Sequence, residues 1–240
     1  MGGEGERRAE LAANLARVRA RIDAARAAAG RTDEIALVAV TKTYPASDVA
    51  LLADLGVTDV GENRDQEAAP KAAAVGDRVR WHFVGQLQRN KARSVARYAD
   101  VVQSVDSVRL ARALDAAAAA AGRRLDVLLQ VSLDGDPHRG GALPGSADPD
   151  RGLDPVAAAV AGHEALRLAG LMAVAPLGED PDAAFARLAE VAARFRVDHP
   201  TASVLSAGMS DDLESAVSHG ATHVRIGSAL LGKRPPPGVA

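Results

Sequence analysis

Eight short apolar runs alternate with helix-like stretches along this sequence, and that alternation limits the fold more than any other feature. The runs lie at 35–45, 57–61, 80–85, 100–105, 125–132, 169–174, 203–206 and 222–227. They are too short for buried helices, rich in Val, Leu and Ile, and bounded by Gly, Pro or Asp, the pattern of buried parallel strands. Helical patterns over 47–55, 63–75, 88–98, 107–121, 155–166, 182–198 and 210–219 fill the gaps. Strand and helix in turn favour a parallel sheet with helical crossovers. Eight such units in 240 residues match a (β/α)8 barrel, which typically needs roughly 250. The expected fold is therefore α/β: a single TIM barrel domain over residues 1–240. Its competitor, an open doubly wound sheet binding a dinucleotide, lacks the G-x-G-x-x-G that should open the first βα unit.

An extra helix over 6–29 precedes the first strand, with Leu11, Leu15, Val18 and Ile22 at helical spacing and Gly30 as its stop. Ser47 is expected to cap the next helix, with Asp48 in its first turn. Loose ends are expected over about 1–6 and 235–240. The one long loop, about 133–154, is rich in Gly, Pro and Asp and is expected to be locally disordered.

Several function classes fall away on composition. A net charge of −2, with no basic stripe or aromatic platform, gives no attraction to nucleic acid. With no cysteine there is no disulfide or thiolate metal site, and His138, His163, His199, His219 and His223 have no metal-ligand spacing. No segment approaches the roughly 20 apolar residues that span a bilayer, and no signal-peptide core follows the amino terminus. A soluble cytoplasmic monomer is expected. Aromatics are only 2% of the chain, so its core must be built from Ala, Val and Leu.

Lysine is rare here. Lys42, Lys71, Lys91 and Lys233 are the only ones, arginine supplying nearly all other positive charge. Lys42 stands at the carboxyl end of the first strand, on the face of Val38 and Val40. A lysine at a strand end commonly reaches out to solvent. If its face lines a barrel mouth, however, burial disfavours the ammonium form and makes the amine a better nucleophile. Guanidinium offers no such chemistry, so a chain that otherwise uses arginine gives weight to this one amine.

In TIM barrels a phosphate often rests on the loops after strands 7 and 8. Here these are Ser206-Ala207-Gly208-Met209-Ser210 and Gly227-Ser228-Ala229. Glycine lets a backbone approach an anion, and hydroxyl and turn N–H groups donate to it. Asp211 and Asp212 would repel a phosphate at the helix after strand 7. Most of the contact is therefore assigned to Gly227 and Ser228, with Ser206 and Gly208 closing the cup. Arg225 shares its face with Gly227 and needs an acceptor if it points inward. An amine, a phosphate cup and an arginine between them are the groups that pyridoxal 5'-phosphate requires.

Ordered motifs carry a resemblance across nearly the whole chain: Val40-Thr41-Lys42-Thr43, Val60-Gly61-Glu62-Asn63, His82-Phe83-Val84-Gly85-Gln86-Leu87-Gln88 with Asn90-Lys91, Gly170-Leu171-Met172, Leu205 to Asp212, and Val224-Arg225-Ile226-Gly227-Ser228. The sequence resembles the YggS/PROSC-type pyridoxal 5'-phosphate homeostasis proteins, which have the barrel of the alanine racemase N-terminal domain. The resemblance implies a covalent aldimine between the cofactor and Lys42, with Arg225 meeting the pyridine nitrogen. It further implies that Ser206, Gly208, Gly227 and Ser228 hold the phosphate, with Asn63 near the cofactor. Three positions depart from the pattern. Gln86 replaces a usual proline, Arg89 a usual serine, and His138-Arg139-Gly140-Gly141 a Ser-Lys-Ser-Gly segment, so the second amine of that loop is replaced here.

Arginine at a pyridine nitrogen favours the unprotonated ring and weakens its pull on carbanions. The sequence supplies no second base of clear identity, so no catalytic residue is assigned. The expected function is to hold pyridoxal phosphate and pass it on, with apo enzymes that use it as recipients. The alternative is a small racemase or decarboxylase acting on amino acids, with Lys42 as base; a Schiff-base aldolase is a third. His82 is expected to be a satisfied core histidine, Lys91 a surface lysine rather than a second aldehyde acceptor, and Met172 a core residue.

Overall fold

Val38 on the first strand pairs with Asp59 of the second and with Arg225 of the eighth, so the sheet closes on itself. In the computed structural model, which describes residues 2–136 and 139–232, the strands are β1 (Ala36–Val40), β2 (Asp59–Glu62), β3 (Arg80–Phe83), β4 (Val101–Val105), β5 (Leu125–Gln130), β6 (Leu166–Met172), β7 (Val204–Ser206) and β8 (His223–Ile226). All are parallel, and each lies beside its sequence neighbour. The helices are α1 (Gly2–Ala28), α2 (Ala46–Asp54), α3 (Asp65–Val75), α4 (Ala92–Val95), α5 (Val108–Ala120), α6 (Leu153–Ala161), α7 (Pro181–Asp198), α8 (Leu213–Ser218) and α9 (Ser228–Leu231). The expected α/β barrel is the observed one.

Strand alternation sorts the side chains. Outward residues Ala39, Val60, Trp81, Val224 and Ile226 form one core with Leu11, Leu15, Val18 and Ile22 of α1. Each of those four α1 side chains contributes about 1.5–3 kcal/mol by burial. Asn14 adds a buried hydrogen bond to the Leu230 carbonyl, at 2.9 Å. Inward residues Val101, Leu128 and Met172 fill part of the barrel, so Met172 is core, as expected. A Cβ on Gly61 would lie 3.2 Å from Val38 and 3.5 Å from Val40, which places that face inside.

Three local expectations are corrected. Ser47 does not cap α2; the cap position is Pro45, whose extended conformation (φ −71°) sets the helix start without a side-chain bond. Residues 2–6 are not loose but form the first turns of α1. The loop 133–154, expected to be structureless, makes defined contacts through its described residues. Val131 bridges to Ala142 and Leu143 to Gly152, and the Asp148 carboxylate accepts from the Asp150 and Arg151 N–H groups. Gly141, at φ 111°, makes this return possible, since a Cβ there would meet the Ser132 nitrogen at 2.7 Å. Glycine that reads as disorder in sequence here permits close backbone contact. His138, Lys233 and the tail 235–240 lie outside the described residues. Among those described, no helix is long and apolar enough to cross a membrane.

Candidate functional site

Lys42, partly buried, stands two residues beyond the end of β1, whose inward face carries Val38 and Val40. Asn63 stands in the corresponding place after β2, also partly buried. The two loops are drawn together from behind: Thr41, facing outward, donates its hydroxyl to Glu62 at 2.6 Å. Gly85 lets the loop after β3 pack on Asn63, because a Cβ there would lie 2.2 Å from the Asn63 carbonyl oxygen.

Arg225 sits inside the barrel, 5% exposed. Its Nη2 donates to the Ala173 carbonyl and its Nη1 to the Ser206 hydroxyl, both at 2.8 Å. Among the described residues no carboxylate touches the guanidinium. Burial pushes its pKa down to about 10, against a partial lift from Asp212, and it remains a cation at neutral pH. Two neutral acceptors leave a five-donor group with N–H capacity to spare.

Behind Arg225 runs a hydrogen-bonded chain with forced direction. The Ser206 hydroxyl, fully buried, donates to Gln103 Oε1 at 2.7 Å. Gln103 Nε2 meets His82 Nδ1 at 2.8 Å, and His82 Nε2 meets Asp59 at 2.7 Å. Arginine only donates and an ionised carboxylate only accepts, so every link between them points the same way. In that direction His82 accepts from Gln103 at Nδ1 and donates to Asp59 from Nε2. Burial pushes the Asp59 carboxyl upward, but bonds from His82 and Thr58 outweigh it and hold the group below the ordinary range. His82 is a satisfied interior histidine, as expected.

The chain relocates Ser206. Sequence reasoning put its hydroxyl in the phosphate cup; the structure turns it to Arg225 and Gln103, with both its donor and an acceptor position engaged. At the rim, Ser210 and Ser228 instead bring their hydroxyl oxygens within 3.4 Å. Gly227 packs on Val40, an ideal Cβ lying 3.5 Å from the Val40 carbonyl. Gly208 is required by packing: at φ 90° its Cβ would fall 2.6 Å from that of Ala216, and its carbonyl accepts the Arg225 N–H at 2.9 Å. Asp212 is folded back onto its own loop, accepting the Met209 N–H, while Asp211 is exposed. Ser210 and Gln103 are the residues that sequence reasoning missed. Ser210 stood in the quoted loop, at the same parity as Ser206.

Lys91 is a partly exposed lysine whose amine lies 3.9 Å from Asp65. Among the described residues no cluster of His, Asp or Glu suits a metal ion. A cleft of about 970 Å³ opens at the opposite end of the barrel among Trp81, Arg97, Arg123 and Arg124. At the C-terminal mouth the strand ends carry Lys42 after β1, the buried Arg225 on β8 and the hydroxyls of Ser210 and Ser228 in the loops after β7 and β8.

A family model described as alanine racemase, N-terminal domain, matches residues 13–235. The pyridoxal phosphate homeostasis protein of Mycobacterium tuberculosis (strain ATCC 25618 / H37Rv) is 50% identical over 250 aligned positions, covering 95% of each chain. The structure of PipY from Synechococcus elongatus PCC7942, with PLP bound, superposes with a TM-score of 0.79 at 34% identity, covering 93% of this chain and 100% of that one. An alanine racemase from Corynebacterium glutamicum shares the fold at 18% identity and a TM-score of 0.68; this chain covers 63% of its length.

Proposed function

The chain belongs to the pyridoxal phosphate homeostasis proteins, on the alanine racemase N-terminal domain fold, and from that premise we propose that it holds pyridoxal 5'-phosphate on the amine of Lys42 and passes it on within the cytoplasm, as a monomer. The observation that carries this reading is Arg225. A buried guanidinium with neutral partners and spare N–H groups calls for an uncharged acceptor, and a pyridine nitrogen is one. When bound, the group supplies an aldehyde carbon that one amine can condense with, losing water, and that a second amine can take over.

The chain's own residues divide the work. Lys42 supplies the anchoring amine. Arg225 donates toward the ring nitrogen and, being a cation, keeps a proton off it, so amine exchange is favoured over carbanion chemistry. Ser228 and Ser210 offer hydroxyl donors to the phosphate, with the unbonded N–H groups of the turn at Gly227 and Ser228. Ser206 and Gly208 act from behind, one orienting Arg225 and the other letting the loop pack. Asn63 borders the same mouth. Recipients are apo enzymes that need the cofactor.

Purified protein mixed with pyridoxal 5'-phosphate should gain a visible absorption band. Borohydride should fix the added mass on the peptide containing Lys42, and Lys42→Ala should do neither. Amino-acid turnover above that of free cofactor, lost in Lys42→Ala, would overturn the carrier reading in favour of a racemase or decarboxylase.

A further inference from the structure

Lys42 is gripped from behind by a single helix. The Lys71 amine donates to the Thr41 carbonyl, one residue before Lys42, at 2.8 Å, and to Glu62 at 2.7 Å. One turn earlier on the same face of α3, Glu67 Oε2 accepts the N–H of Thr43, one residue after Lys42, at 2.9 Å. The peptide groups on both sides of the anchoring lysine are thus bonded by side chains of opposite charge from α3. Lys71 and Glu62 are buried, which makes this end of the clamp rigid.

What the clamp holds is strained. Among the described residues Thr43 is the one non-glycine residue in the left-handed region, at φ 71°. A β-branched residue is rarely found there, because its side chain crowds the backbone. Released, Thr43 would return to negative φ and re-aim the backbone that carries Lys42. Such strain persists where surrounding contacts over-determine it, and it gathers at functional sites.

We propose that Glu67 and Lys71 are positioning residues for Lys42, holding Thr43 in its left-handed conformation so that the amine is presented to the barrel mouth. The proposal rests on the reading of Lys42 as the anchor. Neither residue lies on the inward face of a strand, and both act through the backbone.

Glu67 is the residue to change, since it is partly exposed and its loss leaves the buried Lys71–Glu62 pair intact. Two quantities are read: exchange of the Thr43 amide in cofactor-free protein by NMR, and the rate at which pyridoxal 5'-phosphate attaches to Lys42. In Glu67→Ala the amide should exchange roughly tenfold faster and attachment should slow by a similar factor, the scale of one charge-assisted hydrogen bond. Glu67→Gln keeps an acceptor and should recover most of both. In a Thr43→Gly background, where positive φ carries no steric cost, Glu67→Ala should slow attachment by less than about threefold. Unchanged exchange and attachment in Glu67→Ala, or an equal loss in both Thr43 backgrounds, would overturn the clamp. A wild-type protein that takes up no pyridoxal phosphate refutes the functional reading instead, and the exchange measurement then decides the clamp alone.

Discussion

Replacing Gln103 by leucine cuts the interior chain at its middle while nearly conserving volume. Gln103 is fully buried, and its neighbours Ser206 and His82 are 0% and 2% exposed. The change leaves the Ser206 hydroxyl without an acceptor and His82 Nδ1 without a donor, in a space closed to bulk water. Each orphaned buried group costs about 1–3 kcal/mol, so Gln103→Leu should destabilise the fold by about 2–6 kcal/mol. Urea unfolding should show this as a lower midpoint at unchanged slope. Ser206→Ala should cost a similar amount by orphaning Gln103 Oε1 and an N–H of Arg225. The double variant sharpens the test. With both residues gone only His82 Nδ1 and Arg225 Nη1 lack partners, the same number of groups as in either single variant. Its deficit should therefore match one single variant rather than the sum, a coupling of several kcal/mol where unlinked sites add within about 0.5 kcal/mol. Strict additivity, or a Gln103→Leu protein as stable as wild type, would refute the continuous chain. Both single variants should also bind pyridoxal phosphate more weakly, since Ser206→Ala removes the acceptor that orients Arg225 and Gln103→Leu removes the group that fixes the Ser206 hydroxyl toward it.

Two further outcomes follow from groups at either end of the barrel. Burial pushes the His223 pKa down from 6.5 to about 4. The folded state then binds fewer protons than the unfolded one between those values, and the stability this group contributes, full above pH 6.5, is lost as pH falls toward 4. From pH 7 to 4.5 the loss is about 2–3 kcal/mol, and urea titrations of His223→Gln at the two pH values should show a correspondingly smaller drop than wild type. At the other mouth, Ser210→Ala should weaken competition by inorganic phosphate against cofactor loading, whereas Ser206→Ala should leave that competition unchanged and lower stability. The reverse pattern would return Ser206 to the cup.

The barrel was legible because two simple periods suffice to read it: alternation of residues within strands, and alternation of strands with helices. Parity alone set Lys42 beyond Val40, Asn63 beyond Gly61, and Gly227 on the face of Arg225, and these residues follow the neighbouring strands β1, β2 and β8. Parity says which way a side chain points, not how deep it lies. Ser206 points inward as expected, but it pairs with His223, two residues below Arg225, so its hydroxyl lies under the guanidinium. That offset is set by the register between β7 and β8, which no single strand encodes. Gln103 was hidden for a related reason: the β4–β5 pairing shifts between Val102 and Val105, and its partners come from β3 and β7. The positive φ of Thr43 leaves no trace in composition, since a threonine there argues against the conformation it adopts.

The two groups proposed to hold the cofactor are supported from opposite faces of the same sheet. Arg225 is held from inside the barrel, through Ser206, Gln103 and His82 to Asp59; Lys42 is held from outside, through Thr41, Thr43 and α3. In each case a cation that is costly to bury ends on a carboxylate, Arg225 through a relay and Lys71 by direct contact with Glu62. Burial of Glu62, opposed by Lys71, raises its carboxyl pKa, so that pair carries a desolvation cost that its bonds must offset. Spending stability on polar groups on both faces makes little sense if the mouth need only be a cavity. It does make sense if two points some distance apart, an amine and a donor to a ring nitrogen, must keep a fixed separation while a small molecule enters and leaves. On this view affinity should respond to Gln103 and Glu67, which line no part of the mouth, as strongly as to the hydroxyls at its rim.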